Sequence, residues 1–257
     1  MQPMLSTVLS LFLAHLLADF PFQPDWIARE KGKRLWPTLV HAGVHYVLAS
    51  ACLFGFTGIS LWSLFHQCLL AAYVAAHILI DATRTRLITR TAIPDNWVSF
   101  LIDQLAHAAT LVGVALALTG SGLSTVIASV SFSPAARFQL LVVSTIYAAS
   151  MFGGGYLIRY FTRQLSQGVV LESPNQLRNA GLYIGWIERF LVITAIAVHS
   201  PAMVGLILTG KSIARLQELK EVRFAEYFLI GTLLSISLAL AGGLLLARIL
   251  YGTVSLQ

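Results

Sequence analysis

The sequence holds only seven His and five Asp, and eight of these twelve residues form four pairs spaced four positions apart. The pairs are His15 and Asp19, His41 and His45, His77 and Asp81, and Asp103 and His107. Imidazole and carboxylate are the donors of Zn²⁺ and Fe²⁺ sites, and they suit Ca²⁺ or Mg²⁺ less well. On a helix, residues four apart stand one turn above each other on the same face. Each pair would therefore aim two donors in one direction. A single His on an apolar helix is usually a packed residue or an interhelical hydrogen-bond partner. Four such pairs in one chain point instead to a shared metal site.

The elements that must position these residues are membrane helices. Hydrophobic residues make up 57% of the 257 positions and charged ones 11%, and the mean hydropathy is +0.77. A soluble domain carries about 25% charged residues, so an ordinary soluble enzyme is excluded. Long, nearly charge-free blocks predict an all-α, polytopic transmembrane bundle. About eight spans are read, at 4–21, 37–57, 61–82, 97–119, 136–161, 180–199, 201–214 and 224–249. The seventh is short, and a re-entrant segment there would leave seven. The first block carries His15 and Asp19 and lacks a basic leader, so it is read as a span rather than a removed signal. Cys52 and Cys68 both fall in apolar blocks and are read as small buried packing residues.

The net charge of +6 follows from topology and implies no nucleic-acid partner. Basic residues concentrate in odd-numbered loops: Arg29, Lys31, Lys33 and Arg34; Arg84, Arg86 and Arg90; Arg163 and Arg178; Lys211, Arg215, Lys220 and Arg223. The positive-inside rule then puts odd loops in the cytoplasm and both termini outside. Trp26, Trp36, Trp62 and Trp97 fall near the interfaces, as an aromatic belt would. Residues 120–133 read as an external loop or half-buried helix, and 211–223 as an amphipathic helix on the cytoplasmic surface. The chain divides into a His/Asp-bearing half, 1–119, and a second half, 120–257.

Depth sharpens the pattern. The pairs on spans one and three lie at C-terminal ends, and those on spans two and four at N-terminal ends. In an up-down bundle these four ends share the cytoplasmic side. Three carboxylates at that depth are costly unless compensated. Two divalent ions with one bridging hydroxide would balance them; alternatively, some of the eight residues orient the true ligands. Zinc is favoured over iron.

Neighbouring residues extend the expected site. Gln23 continues the stripe of His15 and Asp19, and Gln104 follows Asp103. Lys33, Arg34, Arg84 and Arg86 could receive a phosphate head group, although the topology rule alone also explains them. His66 and His199 are predicted near the outer face and outside the site. Glu188 and Arg189 lie within an apolar span, where ionisable residues suggest either function or an interhelical ion pair.

The motifs HLLADFPFQ at 15–23, HAGVH at 41–45, HILIDATR at 77–84 and DQLAH at 103–107 resemble a bacterial integral-membrane family called domain of unknown function 3307. The resemblance continues in KSIARLQEL at 211–219 and EYFLIGTLLS at 226–235. It implies a multi-pass protein of the bacterial inner membrane. More loosely, the His/Asp helices are similar in style to small membrane proteins described as metal-dependent hydrolases.

The functional expectation is a membrane hydrolase that uses metal-activated water on a lipid or lipid-linked substrate at the cytoplasmic leaflet. Asp19 and Asp103 are the candidate bases, with Gln104 beside them. Two other readings stay open: a di-iron lipid oxidase or hydroxylase, and a metal-ion or proton transporter. A membrane anchor for a cytosolic partner and a homo-oligomer are further options.

Overall fold

The computed structural model describes residues 3–31, 33–121, 136–165 and 180–252, and among them every regular element is helical. In chain order these are α1 (Pro3–Asp19), α2 (Asp25–Glu30), α3 (Leu35–Cys52), α4 (Leu64–Thr89), α5 (Trp97–Thr119), α6 (Ala136–Ala148), α7 (Gly154–Leu165), α8 (Ala180–Ala197), α9 (Ala202–Ala214) and α10 (Val222–Tyr251). Single π-helical turns extend α3 through Leu53–Thr57 and join α6 to α7 through Ala149–Gly153. Six helical segments are long and apolar enough to cross a membrane, while Met4–Asp19 and Ala202–Ala214 are shorter apolar helices. The chain is thus a multi-pass membrane protein. Its outward faces carry large apolar side chains such as Leu39, Val47, Leu79 and Leu105, which hydrocarbon rather than protein would cover.

By packing, the chain divides into two compact units, Met1–Thr145 and Ile146–Gln257. The sequence suggests a division after 119; packing places it within α6. In the first unit, α1 packs on α3 and α5, and α4 packs on the same two helices, closing a four-helix ring. The inner stripes follow from four-residue spacing. On α3 the buried run is Pro37, His41, His45, Ala49 and Cys52; on α5 it includes Asp103, His107, Leu111 and Ala115. The polar pairs therefore continue the stripe that carries the apolar core. Asn96 fixes where α5 begins. Its side chain accepts from the Val98 and Ser99 amides at 3.1 and 3.0 Å, and Ser99 Oγ accepts from the Asn96 amide.

In the second unit, α10 packs along α8 and α7. A Cβ at Gly243 would stand 2.8 Å from Ile196 Cβ, so the missing side chain lets α8 and α10 approach closely.

Three expectations need correction. Residues 211–223 do not form one amphipathic helix: α9 ends at Ala214, Glu218–Lys220 make a short 3₁₀ turn, and α10 starts at Val222. The break is chemical, because Glu221 caps α10 by accepting from the Arg223 and Phe224 amides. Cys68 is exposed rather than buried; Cys52 is buried, and neither is in a disulfide. The third span does not stop at 82, since α4 continues to Thr89 and carries Arg84 and Arg86 as helical residues. Beyond residue 121, the expected loop at 120–133 lies outside the described residues.

Candidate metal centre

The ring of α1, α3, α4 and α5 brings all four pairs to one end of the bundle. His15 and Asp19 arrive on the last turns of α1, His77 and Asp81 on the later part of α4, His41 and His45 on α3, and Asp103 and His107 on α5. All five imidazoles are at most 1% exposed. The rings crowd one another, with His45 and His77 centroids 3.7 Å apart and His77 and His107 4.3 Å apart in tilted pairs, and His15 stacked on His107 at 4.9 Å. His66 and His199 stand elsewhere, against the Ser60 carbonyl and the Tyr251 ring respectively.

Four donor atoms form the tightest group. Asp19 Oδ1 lies 3.1 Å from His41 Nε2 and 3.4 Å from His77 Nε2, and the two imidazole nitrogens are 3.2 Å apart. Asp81 Oδ2 lies 3.5 Å from His41 Nε2 and 3.3 Å from His77 Nε2. Donors held about 2.0–2.1 Å from one tetrahedral ion stand roughly 3.3 Å from each other. The five separations match that edge. Two neighbouring groups overlap this one: His15, Asp19, His45 and His77 on one side, and Asp81, Asp103 and His107 on the other. These flanking groups share no residue, so the layer has room for two ions with separate ligands.

Hydrogen bonds fix the tautomer at two of the flanking histidines, whereas His41 Nδ1 and His77 Nδ1 are buried without a hydrogen-bond partner. His107 Nδ1 donates to the Asp103 carbonyl at 2.8 Å, which leaves Nε2 with its lone pair. His15 Nε2 donates to Gln104 Oε1 at 3.3 Å, which leaves Nδ1 free toward Asp19 Oδ2 at 3.4 Å. Tyr73 OH stands 3.2 Å from His45 Nδ1, while His45 Nε2 faces Asp19 Oδ1 at 3.2 Å. His15 Nδ1, His107 Nε2 and Asp103 Oδ1 are buried without a hydrogen-bond partner. Buried orphans of this kind are expensive, and such atoms could accept a bound cation.

Lys31 is the residue that sequence reasoning missed as part of the site. Its ammonium lies 2.7 Å from Asp81 Oδ2, 3.2 Å from His41 Nε2 and 3.6 Å from Asp19 Oδ1. Burial lowers its pKa, but the Asp81 and Asp19 carboxylates outweigh burial and the net shift is upward, so the side chain is charged at neutral pH. The short helix α2 delivers it: Lys31 N bonds to the Ile27 carbonyl, and Ile27 is buried as the anchor. The only sequence signal was a lysine in a basic loop, which topology already explained.

The other expected residues divide. Gln23 reaches the centre, with Nε2 3.3 Å from Asp19 Oδ1 and 3.5 Å from His41 Nε2. Gln104 bridges two ligands, since its Nε2 also donates to Asp103 Oδ2 at 3.1 Å. Arg34 pairs with Glu30 at 3.0 Å and Arg84 with Asp95 at 3.0 Å. Lys33 and Arg86 are exposed.

A family model described as Protein of unknown function (DUF3307) matches residues 7–135, a stretch that carries all eight His and Asp residues of the centre. The resemblance noted at 211–235 lies beyond that match. No curated protein and no solved structure matches the chain.

Proposed function

The chain belongs to the DUF3307 family, and we propose that it is a membrane-embedded, metal-dependent hydrolase acting on a lipid or lipid-linked substrate at the cytoplasmic leaflet of a bacterial inner membrane. One observation carries this reading: Asp19, His41, His77 and Asp81 bring four donor atoms together at one end of the helical ring, with five separations of 3.1–3.5 Å that suit the edges of a tetrahedron. Bound zinc would polarise a scissile ester or phosphate and bring the pKa of a bound water near neutrality. The protein's own residues do the rest. Gln104, Tyr73 and the Asp103 carbonyl hold three imidazoles in orientation. Asp19 Oδ1 is committed to ligation by the imidazoles around it, whereas Asp103 Oδ1 is open and is the better general base. Lys31 is the nearest cation and would meet an anionic head group before Arg34 or Arg84, which hold ion pairs of their own.

Lys31 also changes the charge balance. With its ammonium in place, a single divalent ion neutralises the three carboxylates. Two ions with a bridging hydroxide would require Lys31 to withdraw.

Metal analysis of the purified protein tests the reading. Wild type is expected to carry one or two equivalents of zinc, and His41→Ala and Asp81→Ala to lose most of it, while His66→Ala keeps it. Equal metal in all four proteins would sink the proposal. Bound iron with an oxygen-dependent optical change would turn the reading toward an oxidase. Divalent-ion flux into proteoliposomes, abolished by His41→Ala, would turn it toward transport.

A further inference from the structure

The second unit contains a cavity of about 500 Å³ between α7, α8, α9 and α10. Among the described residues, five basic side chains line it, Arg159, Arg163, Arg189, Lys211 and Arg215, with one carboxylate, Glu188; Arg163 and Arg215 hold interactions of their own. That carboxylate is taken, because Lys211 Nζ donates to Glu188 Oε2 at 2.6 Å. Arg215 pairs outside the cavity lining with Glu218 at 2.9 Å.

Arg189 is the costly member. It is 3% exposed and sits within the apolar helix α8. Its partners are neutral: Nη1 donates to Ser235 Oγ and Nη2 to the Met151 carbonyl, both at 2.9 Å. Its Nε has no hydrogen-bond partner, and neither does the buried Trp186 Nε1. A buried guanidinium whose hydrogen-bond partners are all neutral is costly in a membrane helix, and the adjacent carboxylate, Glu188, is bonded to Lys211. The fold nevertheless makes room for it. A Cβ at Gly155 would stand 2.5 Å from Arg189 Nη2 and 3.0 Å from Trp186 Nε1, and one at Gly185 would stand 3.1 Å from Arg189 Nη1. Two glycines on facing helices thus keep a socket open around the guanidinium.

Phe224, Tyr227 and Phe228 of α10 also line the cavity, with Lys211 Nζ 5.3 Å from the centre of the Phe228 ring. A cavity that sets the buried Arg189 and the exposed Arg159 beside aromatic side chains fits an anion joined to an apolar chain. We infer that this cavity binds the phosphate group of an anionic amphiphile, with Arg189 and Arg159 as the principal phosphate contacts and the aromatic side chains against the chain. Arg159 is exposed and holds no ion pair among the described residues, so it is available to a ligand. The site draws nothing from the His/Asp centre and stands or falls apart from it.

The test is a binding titration of the full chain in nanodiscs of neutral lipid, read by tryptophan fluorescence. Trp186→Phe assigns the signal. Dioctanoyl phosphatidic acid, dioctanoylglycerol and inorganic phosphate are compared. Phosphatidic acid is expected to bind at least about tenfold more tightly than dioctanoylglycerol. Arg159→Gln is expected to weaken it about tenfold. Gly155→Ala should do the same by displacing the guanidinium while keeping its charge. Arg159→Gln changes an exposed side chain, and Gly155→Ala presses on Arg189 and Trp186 without removing either, so the pair keeps the test alive if Arg189→Gln fails to fold. His41→Ala should bind like wild type. Inorganic phosphate displacing the lipid over the same concentration range would assign free phosphate as the source of the anion; weaker displacement assigns the lipid. Equal affinity for dioctanoylglycerol and phosphatidic acid, or unchanged affinity in Arg159→Gln and Gly155→Ala, overturns the inference.

Discussion

Lys31 Nζ touches Asp81 Oδ2 and His41 Nε2, two of the four atoms spaced for one ion. An ammonium at that distance opposes a dication beside it and supports the carboxylates without one. Lys31→Met is therefore expected to tighten zinc binding about tenfold, measured by competition with a chromophoric chelator. The same variant should melt at lower temperature when metal-free, because two buried carboxylates lose their nearest cation. Weaker zinc binding in Lys31→Met would assign the ammonium a supporting role in ligand geometry instead. Gln104 acts from behind the ligands. Its amide accepts from His15 Nε2 and donates to Asp103 Oδ2, so Gln104→Leu removes both contacts at once. Partners of this kind are worth roughly 10- to 100-fold in metal affinity. A loss of that size with unchanged stoichiometry is the expected result; unchanged affinity would mean that packing alone holds the two ligands.

At the scale of the element, the centre depends on where each helix starts and stops. Asn96 caps the start of α5, the helix that carries Asp103 and His107. Losing an N-cap side chain costs about 1 kcal/mol. Asn96→Ala should lower unfolding stability by about that amount in a denaturant titration while keeping its bound metal. If metal is lost before stability changes, the cap positions the ligands rather than only the helix. The four helices that bring the His/Asp pairs together were legible in the sequence because a four-residue spacing fixes a face and alternating direction fixes a level. His15, His41, His77 and Asp103 follow from those two rules alone. Helix α2 did not follow. Its six residues, Asp25–Glu30, are too few for a periodic signal, and Lys31 after them looks like any other basic loop residue. The break within 211–223 was hidden for a related reason: the apolar pattern runs on, while the stop is made by Glu221, whose carboxylate prefers the amides of the next helix. The pairing of Glu188 with Lys211 was only half legible, since depth flags the carboxylate but not its partner.

For the whole molecule, the surface of the spans is apolar, while polar groups such as His15, His41, His77 and Arg189 are buried beside an apolar core. Side chains such as Leu206, Leu229 and Leu233 are exposed in the chain itself and would be covered by lipid. Which leaflet the His/Asp end faces bears on the proposed substrate, and the distribution of Lys and Arg favours the cytoplasmic one. A cytoplasmic centre meets inner-leaflet lipids and intermediates assembled inside the cell; the opposite orientation would expose it to a different pool. In a background of Cys52→Ser and Cys68→Ser, three single cysteines read the orientation. Lys33→Cys and Arg86→Cys lie at exposed positions on the His/Asp side, and Trp62→Cys replaces a residue 96% exposed in the loop before α4. A membrane-impermeant maleimide is expected to label Trp62→Cys in intact spheroplasts, and Lys33→Cys and Arg86→Cys only in inverted vesicles. The opposite pattern would move the centre to the outer leaflet. The metal-site geometry would survive that result, but the proposed substrate pool would not, since charged lipid intermediates do not cross the bilayer unaided.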